Sequence, residues 1–285
     1  MRPQQRTIQK PVEHTGVGVN LGRKVTVRLL PAAPDTGVVF TRSDLPGSPM
    51  VAASFEHVVP KFRRTVVRQG EAEVQMTEHL LAAAAGLEID NLAVELTGEE
   101  LPACDGSARI FAEILQEAGA VDQGRPRVLR TPREPITITD EMSTITASPA
   151  AEGLTISYTL EYSQLSIPPQ HVELRVTPAS FLGELAPART FVFQSEAPGL
   201  LSSGLGRGAS LENTLVVRDN GSLVYGELRF PDEFARHKVV DLLGDLRLVG
   251  SGVVARVDAA RSGHTHNLRL LERLRSELVE IPPNA

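Results

Sequence analysis

Cys104 is the only cysteine in the 285-residue chain, so no intramolecular disulfide framework exists and no zinc site can rest on a set of cysteine thiolates. Any metal centre must draw on His, Asp or Glu, and a reducing compartment is expected. Long apolar runs are missing as well, since nothing approaches the ~20 residues needed to span a bilayer. The opening residues Met1-Arg2-Pro3-Gln4-Gln5-Arg6 lead into no apolar stretch of the signal-peptide kind. A cytoplasmic location without a membrane span is the expectation. There is also no dense Lys/Arg run. With 29 basic against 35 acidic residues and a net charge of −6, nucleic acid is not expected as a partner, although an anionic ligand is not excluded.

What is present is ample apolar content, 41% of residues, enough for packed cores and, at ~150 residues per domain, for about two domains. Strand-like alternation runs over residues 24–30 and 36–40, broken by Pro and Gly. A helix is predicted from Thr77, as N-cap, to Gly86, and its row Ala82-Ala83-Ala84-Ala85 would let a neighbouring element approach closely. Residues 92–96 read as a strand. Asp105-Gly106-Ser107 opens a second helix carrying Phe111, Ile114, Leu115 and Ala118. The mixed stretch 119–127, with Gly124 and Pro126, reads as a link between an N-terminal domain, 1–123, and a C-terminal domain, 127–285.

The second half repeats the plan. Strands are predicted at 136–139, 154–160, 172–176 and near 215–217, a helix over 231–248, a strand at 253–257 and an amphipathic helix over 264–280. Strands first and helices last in each half predict an α+β fold of two two-layer sandwiches packed helix layer to helix layer. Identity between the halves is too weak to count as a repeat.

The polar residues of the third helix carry the most information. His237, Asp241 and Asp245 recur every four residues and share one face, while Val239, Val240, Leu242 and Leu243 fill the positions between. Burying two carboxylates and an imidazole without a partner would cost on the order of several kcal/mol. Two His and one carboxylate form an open zinc set that leaves a position for water, and His79 with His237 and Asp241 meets that description. Glu78, beside His79, could then take a proton from water without ligating the metal. Each piece also has an ordinary reading: a surface ion pair for His237 and Asp241, a first-turn Glu for Glu78, and a strand-to-helix turn for Ser262-Gly263-His264. His14, His57, His171 and His266 read as surface residues. Lys61, Arg63 and Arg64 read as a solvated cluster with a phosphate contact as the alternative, and Asp105 as a helix cap.

Taken in order, Thr77-Glu78-His79-Leu80-Leu81-Ala82-Ala83, Gly86-Leu87-Glu88-Ile89-Asp90-Asn91, Asp105-Gly106-Ser107-Ala108, Ala188-Arg189-Thr190-Phe191, the helix from Glu233 to Leu246 and Ser262-Gly263-His264 resemble the zinc-dependent UDP-3-O-acyl-N-acetylglucosamine deacetylases of lipid A biosynthesis. His14-Thr15-Gly16-Val17-Gly18 and Asp35-Thr36-Gly37-Val38 look like that family's opening strands, and the likeness covers nearly the whole chain. It implies two related domains with the active site at their junction, a zinc ion held by His79, His237 and Asp241, and hydrolysis of the acetamide of an acylated UDP-N-acetylglucosamine to acetate and a free amine. It further implies Glu78 as general base, His264 as the protonated group that serves the oxyanion and the leaving amine, Thr190 as a stabiliser of the tetrahedral intermediate, and Asp245 as partner of His264. A His at a helix N-terminus resists protonation, so Asp245 is expected to keep His264 charged. Phe191 and Lys238 match substrate-binding positions, and a monomer is expected.

Asn20 departs from the family pattern, as do residues 60–64, Arg207 near the expected acyl passage, and Arg261 before Ser262. Pro198 is expected to shorten the helix that guides the acyl chain. Two rivals remain: a paralogue acting on a different sugar-nucleotide, and a non-catalytic protein that binds the sugar-nucleotide or acyl chain.

Overall fold

Alternating side chains build two sheets with the same strand order. The computed structural model describes residues 3–162 and 167–282. In the first half the strands lie in the order Val12–Val17, Lys24–Pro31, Leu92–Leu96, Val38–Arg42 and Met50–Ala52. The second sheet runs Ile136–Thr139, Thr144–Pro149, Ala255–Ala260, Leu154–Leu160 and Gln170–Val176. In each, the last strand in sequence inserts at the centre, parallel to one neighbour and antiparallel to the other. The halves therefore repeat in topology although their residues do not.

Period-2 alternation explains which face is covered. Val25, Val27 and Leu29 are buried with Phe40, Leu92, Val94 and Leu96, and in the second sheet Ile145, Ala147, Ile156, Tyr158 and Val257 do the same. Helices α1 (Glu78–Gly86) and α2 (Arg109–Ala118) join the first set. After the short α3 (Pro178–Ser180) and α4 (Ala197–Ser202) come the long α5 (Glu233–Leu246) and α6 (His264–Glu277), which complete the second. Helix α1 packs on α5, joining the halves through their helices. The contact is close: a Cβ on Gly244 of α5 would lie 2.1 Å from the carbonyl oxygen of Glu78.

The segment read as a link is a strand. Ala120–Pro126 pairs antiparallel with Gln4–Ile8, but six of its seven residues are exposed, so no burial pattern marks it. The stretch before α1 is a hairpin, Val66–Gln69 with Ala72–Gln75. The last helix ends at Glu277, because Leu278–Glu280 pairs with Arg130–Pro132. Pro198 stands in the first turn of α4, where no helical N–H is required of it; it starts that helix rather than cutting it short. Among the described residues no helix is long and apolar enough to cross a membrane.

Candidate metal centre and active site

The polar stripe on α5 faces inward. His237, Asp241 and Asp245 are buried, and so are Glu78 and His79 in the first turn of α1, which rules out surface ion pairing and solvated first-turn residues. Thr77 occupies the N-cap position of α1 without capping it through its side chain; its hydroxyl donates instead to the carbonyl of Thr65 at 3.5 Å. One turn of α5 places His237 Nε2 3.4 Å from Asp241 Oδ1, and the packing of α1 on α5 brings His79 Nε2 to 3.8 Å from the same oxygen. One donor atom from each of the three lies within 4.8 Å of the others.

The protonation states suit a cation. Burial pushes the His79 imidazole down to about 3 and also lowers that of His237. His237 Nδ1 lies 3.1 Å from the carbonyl of Ala188; donating to it leaves the Nε2 lone pair facing the cluster. Burial works against ionised Asp241, but His237 in its protonated form and the Lys238 ammonium outweigh it and hold the carboxyl far below its usual range. At neutral pH the trio is two neutral imidazoles and one carboxylate, a donor set that fits a divalent metal with room for a further ligand.

A second pair of groups flanks the trio. Burial raises the Glu78 carboxyl to about 7, although His264 opposes the shift. Its Oε2 accepts the backbone N–H of Thr65 at 3.1 Å, and its Oε1 lies 3.9 Å from His264 Nε2. His264 is the first residue of α6. Burial would lower it, yet Asp245, whose Oδ2 is 2.8 Å from His264 Nδ1, overrides burial and raises the imidazole to about 9. The expected competition between helix terminus and carboxylate thus resolves toward the charged ring. One carboxyl near neutrality and one imidazolium can take and give a proton across the same cavity.

Thr190 and Phe191 reach this cavity through a lock that sequence reasoning missed. Arg189 donates through Nε to Glu233 Oε1 at 2.8 Å, and its backbone N–H reaches the same oxygen. Glu233 is fully buried at the start of α5, so segment 188–191 is fixed against the helix that carries His237. The Phe191 ring packs 4.7 Å from that of Phe234, and Lys238 Nζ sits 5.6 Å above Phe191. Lys238 also pairs with Asp241 Oδ2 at 3.0 Å. The cavity of about 320 Å³ is lined by Glu78, His79, Thr190, His237, Asp241 and His264, among others. An apolar groove lined by Val19, Leu200, Leu205, Leu211 and Val216 adjoins it, with Arg63, Met76, Thr190 and Phe191 lining both.

Other expectations change. His266 is half-buried, lines the cavity and bonds Asp140 at 2.6 Å, so it is not a partnerless surface residue; His14, His57 and His171 do not line the cavity. Arg63 pairs with Glu196 at 2.9 Å and Arg64 donates to Gln75 at 3.0 Å; Lys61 and Arg63 are exposed, as expected of a solvated cluster, whereas Arg64 is half-buried. Asp105 does not cap α2, whose N-cap is Ala108; it accepts from Ser107 and pairs with Arg229. Asn20 and Arg207 meet where the Arg207 N–H donates to the Asn20 carbonyl, and Arg261 lies at the cavity. Each of these partners is distant in sequence, or too ordinary in composition to be singled out.

A family model described as UDP-3-O-acyl N-acetylglycosamine deacetylase matches residues 5–276. The UDP-3-O-acyl-N-acetylglucosamine deacetylase of Chlamydia felis is 40% identical over 275 residues, covering 96% of this chain and 98% of its own. Proteins of the same name from Chromobacterium violaceum and Myxococcus xanthus are 40% and 39% identical, over 95% and 97% of this chain and 90% and 89% of theirs.

Proposed function

Because this chain belongs to the UDP-3-O-acyl-N-acetylglucosamine deacetylase family, we propose that it is a zinc-dependent cytoplasmic amidohydrolase. Its substrate is UDP-3-O-[(R)-3-hydroxyacyl]-N-acetylglucosamine, and release of acetate from the 2-acetamido group is the committed step of lipid A biosynthesis. The observation that carries the reading is the convergence of His79, His237 and Asp241 in one buried cluster, flanked by Glu78 and His264. We place the two domains at 1–123 and 127–285 and take the protein to act as a monomer.

Bound by His79, His237 and Asp241, zinc would supply Lewis acidity to the amide carbonyl and make water a better proton donor. Glu78 takes a proton from the attacking water through a carboxylate oxygen as the new C–O bond forms. The Thr190 hydroxyl and the His264 imidazolium face the charge that develops on the former carbonyl oxygen. As the C–N bond breaks, His264 gives its Nε2 proton to the leaving nitrogen, while Asp245 holds the other side of the ring. Lys238 and Phe191 position the sugar-nucleotide, and the acyl chain enters the apolar groove between Val19 and Leu205.

Acetate release from the acylated UDP-sugar, assayed with and without a chelator, tests this. The expected result is turnover that stops on chelation and returns with zinc; His237→Ala should lose both metal and activity. A zinc-loaded protein that binds the sugar-nucleotide and releases no acetate would overturn it.

A further inference from the structure

Thr65 directly precedes the strand Val66–Gln69, and valine would fill this buried position as well. Space filling does not explain the Thr65 hydroxyl. Thr65 is fully buried, and its Oγ1 crosses from the first half to the second, donating to Asp245 Oδ1 at 2.5 Å. The same oxygen lies 3.1 Å from His264 Nδ1. The backbone of Thr65 is tied to α1 at both ends: its N–H donates to Glu78 Oε2, and its carbonyl accepts the N–H of Thr77.

Asp245 is fully buried, so no bulk water can replace a lost partner. Its Oδ2 accepts from Asn267 Nδ2 at 2.9 Å and lies 2.8 Å from His264 Nδ1. Among the described residues only the Thr65 hydroxyl is bonded to Oδ1. The Asp χ2 torsion is broad and roughly two-fold; without a donor on Oδ1 the carboxylate plane is free to rock, and the imidazole bonded to it rocks too. A displacement of that size matters because proton transfer requires the ring to be held in near-attack geometry.

We propose that Thr65 is a positioning residue that sets both proton-handling groups in one frame: its N–H holds Glu78, and its hydroxyl holds the Asp245 carboxylate that orients His264. Its role in turnover rests on the deacetylase reading above; the bonding role does not. One residue thereby ties the base of one half to the acid of the other.

The test compares Thr65→Val, Thr65→Ser and wild type as full-length, zinc-loaded proteins. Two readouts are used: steady-state acetate release from the acylated UDP-sugar, and the downfield imidazole N–H proton of His264, assigned by its absence in His264→Ala. Thr65→Ser should keep kcat within about 3-fold, whereas Thr65→Val should lose about 10–100-fold in kcat with KM little changed, the scale seen when a group that orients a ligand is removed. The His264 N–H signal should persist in Thr65→Ser and be lost or shifted upfield in Thr65→Val. Where Thr65→Val lacks a native thermal transition, Thr65→Ala replaces it with the same expectation. A valine variant with wild-type kcat, a serine variant as impaired as valine, or a loss confined to KM would overturn the proposal. If the wild type releases no acetate the deacetylase reading fails, and the imidazole signal alone decides for or against Thr65.

Discussion

Glu78 differs from an ordinary first-turn glutamate because the packing of α1 on α5 strips it of water. Desolvation raises its carboxyl to about 7, so a group that elsewhere would be too weak a base becomes matched to neutral pH. Glu78→Gln keeps the shape and one oxygen for the Thr65 N–H, and it leaves His79, His237 and Asp241 untouched. Metal content should therefore match wild type while acetate release falls on the order of 10²–10⁴-fold, the usual range for losing a general base. Metal analysis of the purified variant beside a turnover assay checks both halves of this expectation, and near-normal turnover would remove Glu78 from the mechanism. At this scale the sequence was legible where chemistry and spacing coincided. His237, Asp241 and Asp245 could be placed on one helical face because their interval matches the helix period. Thr65, Asn267 and Glu233 could not, since a threonine before a strand, an asparagine in a helix and a first-turn glutamate each have an ordinary explanation, and their partners lie 22 or more residues away.

Between elements, the decisive contact is α1 against α5, and Gly244 permits it. Two effects compete when this glycine becomes alanine. Helix propensity favours Ala by about 1 kcal/mol. Against that, the new Cβ would lie 2.1 Å from the Glu78 carbonyl oxygen and 2.8 Å from its carbon; backbone atoms yield less than a flexible side chain, and overpacking costs about 1–3 kcal/mol or more. Gly244→Ala should therefore be destabilised by roughly 1–2 kcal/mol net, and its activity should fall further than its stability, because Glu78 and His79 move relative to Asp241 and His237. Denaturant unfolding and turnover on the same preparation measure both; a variant more stable than wild type would mean that the helices separate without resistance. The element scale was legible where periodicity ran long. Helices α1, α5 and α6 appear within a few residues of the predicted limits, and buried alternation marked the central strands. The strand Ala120–Pro126 was hidden because an exposed ribbon has no apolar face to read. The hairpin before α1 was hidden because its strands are four residues each.

Across the whole molecule, the repeated halves matter because each delivers one member of the proposed acid–base pair to the junction. The first half supplies Glu78 and the second supplies His264 with Asp245, while Lys238 and Asp241 set the local field. Reaction by the proposed route needs Glu78 ionised and His264 protonated. Below pH about 7, Glu78 binds a proton and can no longer accept one from water, so the rate falls on the acid side. Above pH about 9, His264 loses the proton that the leaving amine needs, so the rate falls on the alkaline side. A plot of kcat/KM against pH should be a bell with its plateau between those limits. Asp245→Asn removes the charge that raises His264 while keeping much of the hydrogen bonding. Burial then acts on the ring with less opposition, and the alkaline limb should move down toward or below the ordinary imidazole value of 6.5. Loss of the His264 charge, which lowers Glu78 more than Asp245 raises it, leaves the acid limb at or above about 7, so the two limbs cross and the maximum collapses, a larger loss at pH 8 than at pH 6.5. Rate profiles of wild type and Asp245→Asn at constant ionic strength decide this. An alkaline limb that stays in place without Asp245 would mean that some group other than this carboxylate keeps the proton on His264.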